Sequence, residues 1–323
     1  MNKLVQYVDP KLEKNLKKSK SKIDKIPNWA FCVKDTFIYD KIHHFDNKKR
    51  ESRAFYKLYE MCRKYKIIKN EDQDICCLCE APGGFIGALR LLSPESFIFG
   101  TSLENSIKFN DSICNDSQVK TIYTDITKEK NIVDIIKYSS MIDGYDLVTA
   151  DGSIDAISDY SKQETMNLKL IMCETFLAFH ILRKKGNFVL KVFDMHTIET
   201  IKVVFLLHAY FDNVQMVKPL TSRPCNSEKY ILCFGFRGYK PGTIEGFSMV
   251  FDKPDFDMEV GNDFIKQIKQ VNTDFAKEQY KHIEDTIAFI KLGTHNKQYT
   301  QRVREQNKFS KDLFNKLRIN EPV

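Results

Sequence analysis

The chain has 323 residues, of which 42% are hydrophobic and 29% are charged. This length allows one large α/β domain with extensions or two modest domains, and the composition excludes wholesale disorder. Lysine and arginine number 50 against 43 acidic residues, a mild excess that indicates a polyanionic partner only where the charge is clustered. It clusters in residues 1–25 and 291–318, which are either nucleic-acid-binding surfaces or ordinary solvated segments.

The first residues and the cysteines bear on location. The start lacks an apolar signal region, and no stretch approaches the roughly 18 apolar residues of a membrane span, so neither secretion nor a membrane partner is expected. Cys76 and Cys79 form a C-x-x-C without a second pair at zinc spacing, and strand geometry would point them to opposite faces. We predict core thiols and no metal site. The expected location is an intracellular, reducing compartment: the cytoplasm (host cytoplasm or virion for a viral protein), with the nucleus left open.

The predicted elements begin with a basic extension in which residues 29–33 form a short strand or pack on the main domain. Helical periodicity predicts helices at 53–65, 83–92, 162–183 and 198–209, the third closed by the basic residues 183–185 and Gly186. Strand signals predict seven strands: 75–79, 96–100, 120–123, 145–150, 188–193, 214–218 and 230–236.

The alternation of strands and helices predicts an α/β fold with a doubly wound, mostly parallel sheet. The last two strands have no helix between them and are predicted to form a C-terminal antiparallel hairpin. Beyond residue 241 the strand signal fades, and two further helices are predicted at 263–292 and 298–317. The chain therefore divides into three parts: a basic N-terminal extension (1–50), the α/β domain (51–240) and a basic helical C-terminal extension (241–323).

A two-glycine turn follows the first predicted strand and opens a helix. Glycine lets the backbone approach a ligand, and a helix N-terminus offers free N–H groups. The turn lacks the spacing of phosphate-binding motifs, and its acidic first residue favours a ligand with positively charged groups. The alternative is a plain tight connection. The residues of this turn are Glu80, Ala81, Pro82, Gly83, Gly84, Phe85 and Ile86.

Three charged residues lie where an open parallel sheet places its active site. Asp151 directly follows the predicted strand 145–150, beyond its carboxyl end. Lys191 lies inside a predicted strand, where burial is costly unless the lysine is paired or functional; the alternative is an ammonium that reaches solvent. Glu228 ends the polar loop before the last strand and alone would be an ordinary surface carboxylate.

Together with Lys57 in the helix 53–65, these residues resemble the tetrad of a known family. Lys57, Asp151, Lys191 and Glu228 follow the order and spacing of the Lys–Asp–Lys–Glu tetrad of FtsJ-like ribose 2′-O-methyltransferases, and the resemblance covers residues 53–236. It implies S-adenosylmethionine as the cofactor and a methyltransferase-type sheet. The implied cofactor contacts are the turn 80–86, Asp125, Ile126 and Asp151.

The loop before the last strand resembles one branch of that family. Residues 222–228, Ser-Arg-Pro-Cys-Asn-Ser-Glu, are similar to a segment of the cap methyltransferases of eukaryotes and large DNA viruses. This implies 5′-capped mRNA as the RNA substrate, with the methyl on the first or second transcribed nucleotide, and it allows association with other capping enzymes. Glu80 departs from the pattern, since many members have a small residue there. Candidate RNA contacts are Ser222, Arg223, Asn226 and Ser227.

The resemblance also implies roles. Lys191 is the general base, so its pKa must fall towards neutrality through burial and the like charge of Lys57. Asp151 and Glu228 orient the lysines, and their charges oppose that fall, which leaves the net shift open. Asp125 is similar to the family's adenine-contacting aspartate, with a helix N-cap as the alternative.

Other functions stay open at this point. They are a ribosomal or transfer-RNA 2′-O-methyltransferase, a methyltransferase-like RNA-binding subunit of a capping complex, and a dinucleotide-dependent oxidoreductase. The intact tetrad argues against the second and the glycine spacing against the third. We also predict that basic residues of the last helix extend the RNA track: Lys297, Arg302, Arg304 and Lys308.

Overall fold

The computed structural model describes residues 7–319 except 24, 28, 106, 155–161, 239–257 and 293–296. Within these residues the strands are β1 (Asp74–Leu78), β2 (Phe97–Ser102), β3 (Val119–Tyr123), β4 (Tyr145–Ala150), β5 (Leu182–Val192), β6 (Phe211–Val217) and β7 (Lys229–Phe236). The helices are α1 (Pro10–Ile23), α2 (Trp29–Thr36), α3 (Ala54–Tyr65), α4 (Gly84–Leu92), α5 (Asp111–Cys114), α6 (Glu129–Ser140), α7 (Gln163–Ile181), α8 (Ile198–Tyr210), α9 (Asn262–Leu292) and α10 (Lys297–Leu317), with a 3₁₀ helix at Asp40–His44.

The strands form one sheet in the order β3-β2-β1-β4-β5-β7-β6. The first five run parallel, whereas β7 pairs antiparallel with both β5 and β6. The predicted fold class and its C-terminal hairpin are therefore confirmed. Because β4 and β5 are parallel neighbours, their carboxyl ends bring Asp151 and Lys191 to one edge of the sheet.

Apolar clusters cover both faces of the sheet. Successive residues of β1 alternate between them: Cys76 packs in one cluster and Cys77 in the other, both fully buried. The core-thiol prediction is thus confirmed for these two. The opposite-face prediction for Cys76 and Cys79 is wrong, because β1 ends at Leu78 and Cys79 has a left-handed backbone (φ 59°) that returns it to the cluster of Cys76.

Two further expectations differ from the structure. Residues 29–33 belong to the helix α2 rather than to a strand. The basic residues after α7 do not close that helix, since the chain passes from Ile181 directly into β5. The register between β4 and β5 shifts from Tyr145↔Leu182 to Leu147↔Asn187, so residues 183–186 form an irregular part of β5. There the Arg183 guanidinium bonds to the carboxylates of Asp74 and Asp146, each at 2.7 Å.

The two extensions pack on each other and on the loop between β6 and β7. Their shared apolar cluster joins α1 and α2 to α9 and includes one loop residue, Cys225. The loop before β7 therefore contacts both extensions as well as the sheet.

Among the helices that the structure describes, none combines the length and apolarity needed to cross a bilayer.

Candidate active site

The four residues of the predicted tetrad come together as two ion pairs. Lys57 on α3 contacts Glu228, with Nζ to Oε1 at 2.8 Å. Lys191 near the end of β5 lies 3.2 Å from Asp151 Oδ1 and donates to the Asp151 carbonyl at 2.6 Å. All four side chains are largely buried, with between 8% and 16% exposed.

Each carboxylate of the tetrad accepts a further hydrogen bond. The fully buried Tyr230 donates its hydroxyl to Asp151 Oδ1 at 2.9 Å, from the position in β7 that pairs with Lys191. Ser222 donates to Glu228 Oε1 at 2.8 Å. These bonds fix both carboxylates in one orientation. Tyr230 was not among the predicted site residues, because tyrosine is common in strands and its position two residues after Glu228 does not by itself indicate a role.

The charges of the tetrad shift the pKa values of Glu228 and Lys191. Burial raises the pKa of Glu228, but the ammonium groups of Lys57, Lys191 and Lys218 outweigh this and lower it to about 2. Burial lowers the pKa of Lys191, yet Asp151 and Glu228 outweigh burial and raise it above its usual value. The fall expected for a general base is therefore not present, because both carboxylates stabilise the protonated amine.

The glycine turn packs tightly between β1 and α4. Gly83 has a φ of +111°, which favours glycine, and a Cβ on Gly84 would lie 3.0 Å from the backbone nitrogen of Phe55. Glu80 is buried and accepts from the Phe85 N–H, while its Oε2 has no hydrogen-bond partner in the part of the chain that the structure describes. Burial and the nearby Asp151 raise the pKa of Glu80 well above its usual range.

Four further residues of the turn are predicted cofactor contacts. The side chains of Phe85 and Ile86 are fully buried in the core, so only their backbone can face a ligand. Ala81 and Pro82 are half-buried at the turn. The unsatisfied, buried carboxylate oxygen of Glu80 fits a ligand that carries a cationic amino group.

Asp125 and Ile126 follow β3. Asp125 Oδ1 accepts from the Thr127 N–H at 2.9 Å and from the Thr127 hydroxyl at 2.6 Å. It is not a helix N-cap, because α6 begins at Glu129 and its cap position is Lys128. Ile126 is buried in the core.

The loop 218–228 is held by two residues that sequence reasoning missed. Glu60 on α3 accepts from Leu220 N at 2.8 Å and from both Thr221 N and its hydroxyl at 2.9 Å. Lys218 donates to the Glu228 carbonyl at 2.7 Å and to Asn226 Oδ1 at 2.7 Å. Burial lowers the pKa of Lys218 to about 7. One feature of the sequence could have identified Glu60: it is a charged residue at a position on the buried side of α3.

The candidate RNA contacts lie along this loop. Arg223 approaches the buried Asp40, with Nε to Oδ1 at 3.4 Å. Asn226 is exposed, and the Ser227 hydroxyl donates to Gln163 Oε1 at 2.9 Å. Of the basic α10 candidates, Arg302 lines a cavity of about 440 Å³ beside the loop. The other three, Lys297, Arg304 and Lys308, are exposed.

The sheet order and the buried tetrad at the carboxyl ends of β4 and β5 define a methyltransferase-type site. The family model that matches residues 50–236 is the FtsJ-like methyltransferase. The chain belongs to the FtsJ-like methyltransferase family.

Curated relatives carry more specific names. The chain is 31% identical over 254 residues to a cap-specific mRNA (nucleoside-2′-O-)-methyltransferase of Autographa californica nuclear polyhedrosis virus, covering 75% of this chain and 93% of that protein. It is 40% identical over 125 residues to cap-specific methyltransferase 1 of Dictyostelium discoideum (38% of this chain, 16% of the relative). It is 26% identical over 293 residues to cap-specific methyltransferase 2 of Danio rerio (79% and 39%).

Proposed function

We propose that the protein transfers a methyl group from S-adenosylmethionine to a ribose 2′-hydroxyl of 5′-capped mRNA, at the first or second transcribed nucleotide. The observation that carries the proposal is the pair of buried Lys–carboxylate contacts, Lys191–Asp151 and Lys57–Glu228, at the edge of the sheet. The printed names of the viral and eukaryotic relatives support the cap as the substrate feature. An association with other capping enzymes stays a prediction.

The chain's own groups fit S-adenosylmethionine. Glu80 offers a buried, unsatisfied carboxylate oxygen to an amino group. The turn that follows it packs closely against Ile113 at Gly83 and against residues 52–55 at Gly84. Asp125, after β3, would contact the adenosine part. When bound, this cofactor supplies a methyl group on a positively charged sulfur.

The tetrad then has to align the hydroxyl and take its proton. In this reaction a neutral Lys191 would accept the proton of the ribose hydroxyl, and the oxygen so activated would take the methyl group that the bound cofactor would supply. Asp151 holds the Lys191 ammonium through its carbonyl and carboxylate. A cationic ligand near Asp151 would offset one of the charges that raise the pKa of Lys191 and so would favour the neutral amine.

The test is to locate the methyl group on defined RNAs. The protein is incubated with labelled S-adenosylmethionine and capped, uncapped or ribosomal RNA, and the digested products are analysed by mass. We expect 2′-O-methylation of capped RNA, reduced in Arg223→Ala with little change in cofactor affinity, because Arg223 lies on the loop beside Glu228 and can hold a phosphate. Arg63→Ala, an exposed arginine near the end of α3, is the matched control. Methylation of ribosomal RNA with capped RNA ignored would contradict the cap proposal.

A further inference from the structure

A groove of about 740 Å³ lies between the segment 40–53 and the loop before β7. Its lining contains seven lysine and arginine side chains against two aspartates, Asp40 and Asp46. The groove belongs mainly to residues before α3, in the later part of the basic N-terminal extension and outside the two charge clusters at 1–25 and 291–318. Such an excess of one charge in a concave surface attracts a polyanion.

The two aspartates are already engaged by arginines within the groove. Asp46 binds Arg50 through both oxygens, at 2.6 and 3.2 Å. Asp40 is shared by Arg53 at 3.1 Å and Arg223 at 3.4 Å. The remaining positive charge is therefore not neutralised by the lining carboxylates.

That charge is carried by lysines that are open to a ligand. Lys34, Lys48 and Lys49 are exposed, and Lys41 is half-buried. Within the described part of the chain, none of these four ammonium groups forms an ion pair with a carboxylate. Phosphate groups of a nucleic acid would supply the missing counter-charges.

The groove adjoins the tetrad through Arg53 and Arg223, which both line it. Arg53 directly precedes α3, one helical turn before Lys57, and donates to the Thr221 carbonyl at 3.4 Å. Arg223 follows Ser222, whose hydroxyl binds the tetrad carboxylate Glu228. A chain that leaves the tetrad therefore meets these two arginines first and the lysines next.

Two exposed aromatic rings stand in the same groove. The rings of His43 and His44 lie 4.2 Å apart at an angle of 70°. Partial desolvation and the neighbouring His44 lower the pKa of His43, which favours the neutral ring. Flat rings beside a basic track are the combination that binds single-stranded nucleic acid, because bases stack on the rings while phosphates meet the cations.

We propose that this groove binds the single-stranded RNA that continues from the methylated nucleotide, with Lys41, Lys48 and Lys49 as phosphate contacts. The proposal rests on the proposed function and specifies where the body of the substrate lies. It places the main track here rather than on α10, since the groove shares Arg53 and Arg223 with the site, whereas Lys297, Arg304 and Lys308 do not line it.

The test compares two double variants of the full chain that each remove two positive charges. Lys48→Gln/Lys49→Gln changes the groove, and Arg63→Gln/Lys64→Gln changes exposed residues at the far end of α3. Binding of a long, unstructured capped RNA is measured over a range of salt. For single strands each lost contact reduces the slope of log K against log salt by about 0.7, so we expect a loss of about 1.4 and roughly 25-fold weaker binding near 0.1 M salt. The control should keep the wild-type slope.

Methyl transfer to RNAs of two lengths separates this proposal from the proposed function. If the groove binds RNA, KM falls from a capped dinucleotide to the long RNA in the wild type and in the control, and this fall is lost in the groove variant. Wild-type slope and length dependence in the groove variant would overturn the proposal. So would a slope reduced only when Lys297, Arg304 and Lys308 are changed to Gln. Absence of transfer to either RNA by the wild type would instead overturn the proposed function.

Discussion

Glu174 on α7 is a fully buried carboxylate beside the catalytic edge of the sheet. Its Oε1 accepts the Gly152 N–H at 3.1 Å, directly after Asp151, while its Oε2 has no partner among the described residues. Burial raises the pKa of Glu174 to about 8, although Lys191 favours the charged form. We expect the folded protein to hold this group as a neutral acid near pH 7.

The raised pKa makes stability depend on pH in a definite direction. Below about pH 4.5, the usual value for glutamate, the group is neutral in both the folded and the unfolded chain and costs nothing. Between that pH and about 8 the unfolded chain ionises first, so the free energy of unfolding falls as pH rises, by roughly 5 kcal/mol in total. Glu174→Gln removes this loss, but its unpaired amide costs about 1–3 kcal/mol at every pH.

The variant should therefore unfold more easily than the wild type near pH 4.5 and be more stable, by about 2–4 kcal/mol, near pH 8.5. Urea unfolding at both pH values measures this crossing. The matched control is Glu164→Gln on the same helix, because Glu164 accepts from His196 N, Thr197 N and the Thr197 hydroxyl. It should destabilise at both pH values. A stability difference between Glu174→Gln and the wild type that stays constant with pH would refute the reasoning.

Two further predictions concern catalysis and the loop. Lys191→Ala should lower turnover with capped RNA by about 10²–10⁴-fold while cofactor affinity is retained. Asp151→Ala should abolish transfer and, in addition, weaken cofactor binding. Near-wild-type turnover in Lys191→Ala would show that Lys191 is not the base. Glu60→Gln should reduce kcat and lower the free energy of unfolding by about 2–3 kcal/mol, because it weakens three charge-assisted hydrogen bonds to the loop residues 220–221. An unchanged kcat in a destabilised variant would limit Glu60 to a structural role.

The sequence was sufficient to predict the sheet and the meeting of the tetrad. Strand ends are visible as apolar runs closed by polar residues, and parallel neighbours place those ends together, as they do for Asp151 and Lys191. The residues that hold the tetrad were not predictable in this way. Tyr230 and Glu60 act through side chains whose partners are distant in sequence: Asp151 for Tyr230, and Leu220 and Thr221 for Glu60. A buried charge in α3 draws attention to Glu60 but does not identify those partners.

The errors have a common physical cause. The basic residues 183–185 carry the local signal of the last helical turn, but α7 ends before them at Ile181, and Arg183 instead binds the carboxylates of Asp74 and Asp146. Residues 29–33 have the composition of a strand, yet the segment forms α2 because Val33 packs on α9. In both places a tertiary contact outweighs a local preference, and such contacts are not visible in a single sequence.

The loop that carries Glu228 and Arg223 is held both by residues inside the family match at 50–236 and by residues outside it. On one side Glu60 and Lys218 bind its backbone. On the other side Gln279 of α9 donates to the Cys225 carbonyl at 3.0 Å, and Cys225 packs in the cluster shared by both extensions. The family core thus supplies the tetrad and one side of the loop's contacts, and the extensions supply the other side. The loop presents one tetrad carboxylate and the first arginine of the proposed RNA groove. Members with the same core and different extensions can therefore share one chemistry and still select different RNAs.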